Sequence, residues 1–238
     1  MQSPLNTFEP FIATLNSEAL SFVCPAVFLF LISDYPKIDT ESLYLIHRMK
    51  KIEWAAGQHF FFAAAVLSYV LAIFLTSSVT TMPRTFLSND WSHAITDYAV
   101  EFPDKVFSFE ANLITRSLFN QISPLGAALC ASLLVGAYIL VVALIILFFH
   151  VINLRKAGII VSAFVVAIGS LLAVAKTPLM WGFPMAHSVV SFHFTPYFRE
   201  PIFPLWGSFL YLFGLATALI IAILACVSRA KFDINQVG

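Results

Sequence analysis

The sequence predicts an all-α fold, a polytopic membrane helical bundle forming a single transmembrane domain over 1–238, and three observations predict it. Of 238 residues, 60% are hydrophobic and only 11% are charged, whereas a water-soluble domain carries about 25% charged residues. Mean hydropathy is +0.88, and several charge-free stretches reach the roughly 20 apolar residues needed to cross a bilayer core. No segment alternates with period two, as the strands of a transmembrane barrel would. The 13 basic and 13 acidic residues balance to zero, so no polyanion-binding surface is advertised and nucleic acid is not an expected partner. Cys24, Cys130 and Cys226 all lie in apolar runs, where a thiol behaves as a small hydrophobe rather than as part of a disulfide scaffold.

Met1–Leu15 lacks the basic n-region and apolar h-region of a signal peptide and reads as an outer segment. Five spans follow, at about 16–33, 58–78, 124–150, 157–175 and 205–228. The first is the shortest, lying between Glu18 and Asp34 and containing Pro25; its ends lean on Leu15 and aromatic flanks. Between the first two spans, about 39–54 reads as a short amphipathic helix. Asp39 or Thr40 serves as N-cap, Glu41 suits the positive helix end, and the basic residues come late. Leu45, Met49 and Ile52 form one stripe, with His47, Arg48, Lys50 and Lys51 opposite. Trp54 sits at the interface and Gly57 permits the bend into the second span.

The loop at 79–123 is long and carries Trp91, Tyr98, Phe102, Phe107 and Phe109; it reads as a folded cap, with a helix over Asp104–Phe119. A very short turn at Arg155–Lys156 forces the third and fourth spans into an antiparallel hairpin. Gly126, Ala127, Ala128, Ala131 and Gly136 in the third span permit close helix approach, to a second subunit or within the chain. The segment 177–204 holds Pro178, Pro184, Pro196, Pro201 and Pro204 among Trp181, Phe183, Phe192, Phe194, Tyr197, Phe198 and Phe203. So many prolines exclude a continuous span, and so much apolar surface excludes a solvated loop. Non-helical backbone at membrane depth is tolerated where protein buries it, so this segment reads as a re-entrant outer helical hairpin before the last span.

Basic residues mark the cytoplasmic side. With the 39–54 helix inside, eight of the 13 basic residues are inside and five outside, while eight of the 13 acids are outside. The N-terminus is then outside and the C-terminus cytoplasmic.

The run Phe30-Leu-Ile-Ser-Asp-Tyr-Pro36, the basic helix Tyr44–Lys51 and Trp54-Ala-Ala-Gly-Gln58 resemble the permease subunits of small bacterial type-2 ABC exporters. The resemblance covers most of the chain. It implies that the 39–54 segment is the coupling helix seated on an ATPase, that Arg155–Lys156 form the shorter inner contact, and that 177–204 is the re-entrant hairpin. The family has six spans with the N-terminus inside; here the first is absent, and Met1–Leu15 aligns with the outer connection after it. The implied protein is a bacterial plasma-membrane permease, not itself an enzyme. Its implied partners are a nucleotide-binding ATPase subunit, a second permease subunit in a homo- or heterodimer, and membrane lipid. The residues implied in ATPase coupling are Tyr44, Arg48, Met49, Lys51, Trp54, Arg155 and Lys156.

No phosphate-cradling G-x-x-x-x-G-K-[ST] loop occurs, so no cofactor is expected in this chain, and ATP and Mg would be bound by the partner ATPase. Phe60, Phe61, Phe62 and Tyr69 along the second span suggest a path for a hydrophobic or amphipathic substrate such as a peptide. Trp181, Phe183, Phe192 and Phe194 would form its outer gate. His59 and His150 fall at inner span ends and His187 and His193 in the hairpin; their spacing gives no helical pairing, so no metal site is expected and they read as interfacial polar residues. Acidic residues avoid the span centres, which argues against a proton relay of buried carboxylates. Two other readings use the same spans: a non-transporting immunity or assembly protein, needing no ATPase at Tyr44–Trp54, and a membrane enzyme or cytochrome, needing converging ligands.

Overall fold

The computed structural model describes residues 4–17, 20–36, 48–81, 85–101, 104, 114–195 and 201–229. In chain order these form β1 (Leu5–Asn6), α1 (Glu9–Asn16), α2 (Leu20–Ile32), α3 (Lys51–Thr81) and β2 (Thr85–Phe86). Three single turns follow, α4 (His93–Thr96), α5 (Tyr98–Glu101) and α6 (Arg116–Phe119), and then the long α7 (Pro124–Val151) and α8 (Arg155–Val174). A broken segment comes next: a 3-10 turn at Pro178–Gly182, α9 (Pro184–Ser188) and a second 3-10 turn at Val190–His193. The long helix α10 (Leu205–Val227) completes the described chain.

Among the described residues four helices, α3, α7, α8 and α10, are long and apolar enough to cross a membrane, which marks the chain as a helical membrane protein. They cover the four longer spans read from the sequence, but α3 starts at Lys51 and runs unbroken through Trp54 and Gly57, so the bend expected at Gly57 and a separate helix end at 54 are not found. The segment expected as a first span, about 16–33, holds only the shorter helix α2, and a separate helix α1 ends at Asn16 ahead of it. Asn16 ends α1 with its side-chain amide turned back onto the Ile12 carbonyl (3.1 Å), and Ser17 is extended. Helix α2 has 13 residues, about 20 Å at 1.5 Å per residue, against a hydrocarbon core of ≈ 30 Å. Pro25 inside it removes one backbone donor.

Helix α7 is the centre of the bundle. It packs against α10, α8, α3, α1, α9 and α2, and Ala131, Leu134, Ile139, Val142, Leu144 and Leu147 are wholly buried. A helix apolar on every side belongs in a core or in a membrane; α7 is the most buried of the long helices, with only the stripe of Leu125, Leu129 and Leu133 left exposed. Ala127, Ala128 and Ala131, three of the small residues that suggested close helix approach, are buried within the chain. Outward-facing residues of the other long helices are large and apolar, among them Phe60, Leu67, Phe164 and Trp206.

Local backbone chemistry sets the direction of each turn. At the end of α7, Asn153 takes a left-handed conformation (φ 65°), which Asn tolerates better than most residues. Its N–H donates to the His150 carbonyl (3.0 Å) and that of Leu154 to Phe149 (2.8 Å), the paired bonds of a Schellman motif. Lys176 (φ 50°) closes α8 in the same way, with Lys176 N–H on Ala173 and Thr177 N–H on Leu172. Both turns reverse the chain, so α7 and α8 run antiparallel and 178–194 lies at the end of the bundle where α7 begins.

Glycine governs how closely these helices meet. A Cβ on Gly158 would lie 2.7 Å from Phe149 Cβ and 3.4 Å from the Ile146 backbone, so α8 rests on α7 at a contact only glycine allows. Gly57 in α3 has nothing within 4 Å. Two substitutions should therefore act with opposite sign. Gly158→Val overpacks the α7–α8 contact and should destabilise by about 1–3 kcal/mol; Gly57→Ala should stabilise by up to about 1 kcal/mol through helix propensity. Thermal unfolding in detergent micelles reads both.

Candidate functional site

Two polar features interrupt the apolar bundle, one at each end. The larger begins with the N-terminal residues. Leu5 and Asn6 pair in parallel with Thr85 and Phe86, and the Asn6 amide donates to the Ser88 and Asp90 carbonyls (2.7 and 2.8 Å). Glu9, almost fully buried, accepts from Asn6 N–H (2.8 Å), Ser92 N–H (2.6 Å) and the Ser92 hydroxyl (2.8 Å). Burial pushes its carboxyl above the usual range, more than the hydrogen bonds from Ser92 and Asn6 pull it down. Trp91 donates its indole N–H to the Ile122 carbonyl (2.9 Å), and Asn89 Oδ1 accepts the Leu125 N–H (3.1 Å) in the first turn of α7. The 85–101 stretch is thus a folded cap. Of the helix expected over 104–119, only α6 at Arg116–Phe119 falls within the described residues beyond Asp104 and 114–115.

Asn16 carries this network into the bundle. Its Oδ1 accepts the backbone N–H of Val190 (2.9 Å) and Ser191 (3.3 Å), while Ser117 donates its hydroxyl to the Ser191 carbonyl (3.4 Å). These bonds satisfy backbone groups where α9 gives way to the following 3-10 turn, in a stretch buried without a break from Pro184 to Ser191. Helix α9 lies among α7, α8 and α10. A Cβ on Gly169 of α8 would come within 3.0 Å of Met185 Cβ, so α9 also depends on a glycine to lie this close. The middle of the segment is therefore inserted among helices and is not a belt on their surface.

Inside it, side chains that the spacing did not pair are brought together. His187 Nδ1 lies 2.8 Å and His193 Nε2 2.7 Å from the hydroxyl of Ser208, in the first turn of α10. The opposite ring nitrogens donate to the Trp181 carbonyl (2.8 Å) and the Val189 carbonyl (3.0 Å). Tyr211 stacks on His187, ring centres 4.1 Å apart, and donates its hydroxyl to the Gly182 carbonyl (2.9 Å). Trp181 meets both imidazoles at 5.3 Å and stacks on Phe203 at 4.7 Å. Burial lowers His187, opposed by its contact with the Trp181 carbonyl; burial pushes His193 down to about 4, opposed by backbone contacts at Val189 and Val190, with the charge of His187 lowering it further. A Ser–His contact is the pairing that activates nucleophiles, but Ser208 and His193 are 0% exposed, closed to any substrate in this conformation. The arrangement can hold a proton and fix the segment to α10. Among the described residues, no group of three or more His, Cys, Asp or Glu converges to hold a metal ion.

Of the four proposed gate residues, Trp181 belongs to this imidazole cluster. Phe192 and Phe194 are half-buried against the core, and Phe183 lies beside Gly169. The sequence reading found the segment and named His187 and His193, but read them as interfacial polar residues, whereas both are buried; Ser208 and Asn16 it passed over. The available signal was polar groups set into apolar runs, which are buried only when partnered.

The second feature is the rim at the opposite end, where α3 and α8 begin and α2, α7 and α10 finish. Tyr44 and 37–47, most of the expected 39–54 helix, lie outside the described residues. Arg48 and Met49 are exposed. Glu53 accepts the Lys50 N–H (3.2 Å), capping α3, and Lys51 Nζ reaches the Ser228 carbonyl (3.5 Å). Trp54 is buried. Arg155 donates to the Asp34 carbonyl (3.0 Å) and approaches its carboxylate (3.4 Å), tying the end of α2 to the start of α8, while Lys156 stays exposed. Along α3, Phe60 points outward and Phe62 is wholly buried; Phe61 stacks on Tyr35 at 3.9 Å, and Tyr69 donates to the Cys24 carbonyl (2.8 Å). These four residues do not line one path. An apolar groove of about 260 Å³ lies instead between α1, α3 and α7, lined by Phe8, Phe11, Leu71, Phe74 and Leu129 among others.

No protein-family model, no curated protein and no solved structure matches this chain.

Asn16 provides the test of the network. Asn16→Ala leaves two buried N–H groups without an acceptor and should destabilise by about 1–3 kcal/mol. Hydrogen exchange should rise first at the Val190 and Ser191 amides, ahead of α7.

Proposed function

We propose that this chain is the transmembrane permease subunit of an ATP-driven exporter, working with a separate nucleotide-binding ATPase and a second permease subunit. The observation that carries the reading is the broken segment 178–194, packed among the long helices immediately before the last of them. Irregular backbone within a membrane bundle is tolerated where protein or a water-filled path surrounds it, and broken helices of this kind line the sites of many transporters. In this reading the segment is a re-entrant hairpin at the outer face, and Trp181, Phe183, Phe192 and Phe194 close it by apolar packing. The N-terminus lies outside and the C-terminus in the cytoplasm, with α2 serving as a short fifth span.

The opposite rim supports the same reading. Arg48, Met49 and Lys156 are exposed beside the starts of α3 and α8, available to an ATPase, while Lys51, Trp54 and Arg155 join that rim to the helices behind it. A partner shifts a conformational equilibrium only by touching the two states differently, and a rim tied to α2, α3, α8 and α10 passes such a shift into the bundle. The apolar groove and outward aromatic surface suit a hydrophobic or amphipathic substrate, such as a short peptide, that enters from the bilayer.

The test is to seek a P-loop reading frame adjacent to the one for this chain and to reconstitute its ATPase product with this chain. Arg48→Glu with Lys156→Glu reverses two exposed charges and should reduce ATPase co-purification and coupled transport at least tenfold with thermal stability unchanged; wild-type binding and transport in that variant would remove the coupling assignment. Phe192→Ala with Phe194→Ala should raise ATP hydrolysis per substrate moved. Lowered stability at an unchanged coupling ratio would make those rings mere anchors.

A further inference from the structure

We propose that His187, Ser208 and His193 form a binding site for a single proton, shared between the two imidazoles through the Ser208 hydroxyl. A count of hydrogens carries the proposal. His187 Nε2 faces the Trp181 carbonyl and His193 Nδ1 the Val189 carbonyl. A carbonyl only accepts, so both of those nitrogens carry hydrogen. The remaining nitrogens, His187 Nδ1 and His193 Nε2, meet one oxygen, Ser208 Oγ, at 2.8 and 2.7 Å. With both rings neutral, each of these is a lone pair, and Ser208 has one hydrogen to give. One contact is then a hydrogen bond and the other sets a nitrogen lone pair against an oxygen lone pair at hydrogen-bond distance. Exchanging a tautomer only moves the mismatch to a carbonyl.

One added proton completes all four contacts. The charged ring donates to Ser208, Ser208 donates to the neutral ring, and each ring donates to its carbonyl. A second proton would set two buried charges against one hydroxyl and leave that hydroxyl's hydrogen without an acceptor in the cluster. The site therefore holds one.

The surroundings fit a cation. The Tyr211 ring stacks on His187 with 22° between planes, and an aromatic face attracts positive charge. Trp181 and Phe203 stand against both imidazoles. Among the described residues, α9 and the turn at Val190–His193 carry no ionisable group beyond the pair itself. The packed elements otherwise carry Tyr211 and Cys226 on α10, and Cys130, Tyr138 and His150 on α7. Helix α8 has Arg155 and Lys156 at its far end and Lys176 just beyond its near end; α6 has the exposed Arg116, and α1 has Glu9, already bonded to Asn6 and Ser92. Among the described residues no carboxylate is paired with either ring, so within them the proton adds a net charge. Burial opposes that charge and holds both rings below the ordinary imidazole value, so occupancy starts on the acid side of neutrality. The inference depends on neither the transport reading nor the orientation in the membrane.

The experiment is ¹⁵N NMR of the full chain, labelled in its imidazoles and held in lipid nanodiscs, titrated from pH 7.5 to 3.5. His187 and His193 are identified by their contacts with the Trp181 ring. The expected result is one joint step below pH 6, in which both rings move with a common midpoint and take up one proton between them. In Ser208→Ala the rings should titrate separately, with midpoints at least tenfold apart in proton concentration. Independent midpoints in the wild-type protein, or no change in either ring down to pH 3.5, would overturn the proposal, and neither result requires a variant to fold. A joint step that persists in Ser208→Ala would overturn the role of the hydroxyl.

Discussion

Asn16 Oδ1 accepts two backbone N–H groups, from Val190 and Ser191, and the rest of the irregular structure depends on that pairing. Helices satisfy their own backbone; the stretch between α9 and the following 3-10 turn does not. A buried N–H without an acceptor costs about as much as a lost hydrogen bond. One amide from the far end of the chain supplies both acceptor contacts, and the insertion of the segment follows. With it settled, α9 can lie against Gly169, the imidazoles reach Ser208, and Ser117 can reach the Ser191 carbonyl.

Helix α7 provides the complementary condition. It is the element that α1, α3, α8, α9 and α10 all rest on, and its Ala-rich face keeps neighbours close. The other long helices present large apolar side chains outward, which water would not accept and a bilayer does. Polar chemistry is thereby driven to the two ends. At one end it is internal, with Glu9, Asn16, His187, His193 and Ser208 buried and bonded. At the other it is external, with Arg48 and Lys156 presented to solvent.

The four long helices were legible because charge-free runs of helical length leave little choice of structure. The antiparallel link between α7 and α8 was legible because a short link between long apolar helices excludes the alternatives, although the turn falls at 152–154 and Arg155 and Lys156, read as the turn, open α8; the burial of Pro184–Ser191 was legible because a proline-rich apolar run suits neither a continuous span nor a solvated loop. The separate helix α1, ending at Asn16 ahead of a shortened first span, was not. It depends on Asn16 turning its amide back to Ile12 and outward to Val190, a contact 174 residues away in the sequence. The imidazole pair was missed for the same kind of reason. His187 and His193 share no helical face; two different local turns and a serine on another helix bring their nitrogens to one point, and spacing along a chain carries no trace of that.

The reach of the Asn16 contact also bears on biogenesis. An N-terminal segment whose buried amide is completed only by residues 190 and 191 has no finished place to go when it emerges from the ribosome. At about 5–20 residues per second, the 174 residues separating Asn16 from Val190 take on the order of ten to thirty seconds to synthesise. Through that interval Glu9 can find Ser92, only 83 residues on, while Asn16 waits. The N-terminal segment is thus parked first on the cap and locked second by the broken segment, and a nascent chain halted before residue 190 would hold its first helix by one anchor out of two.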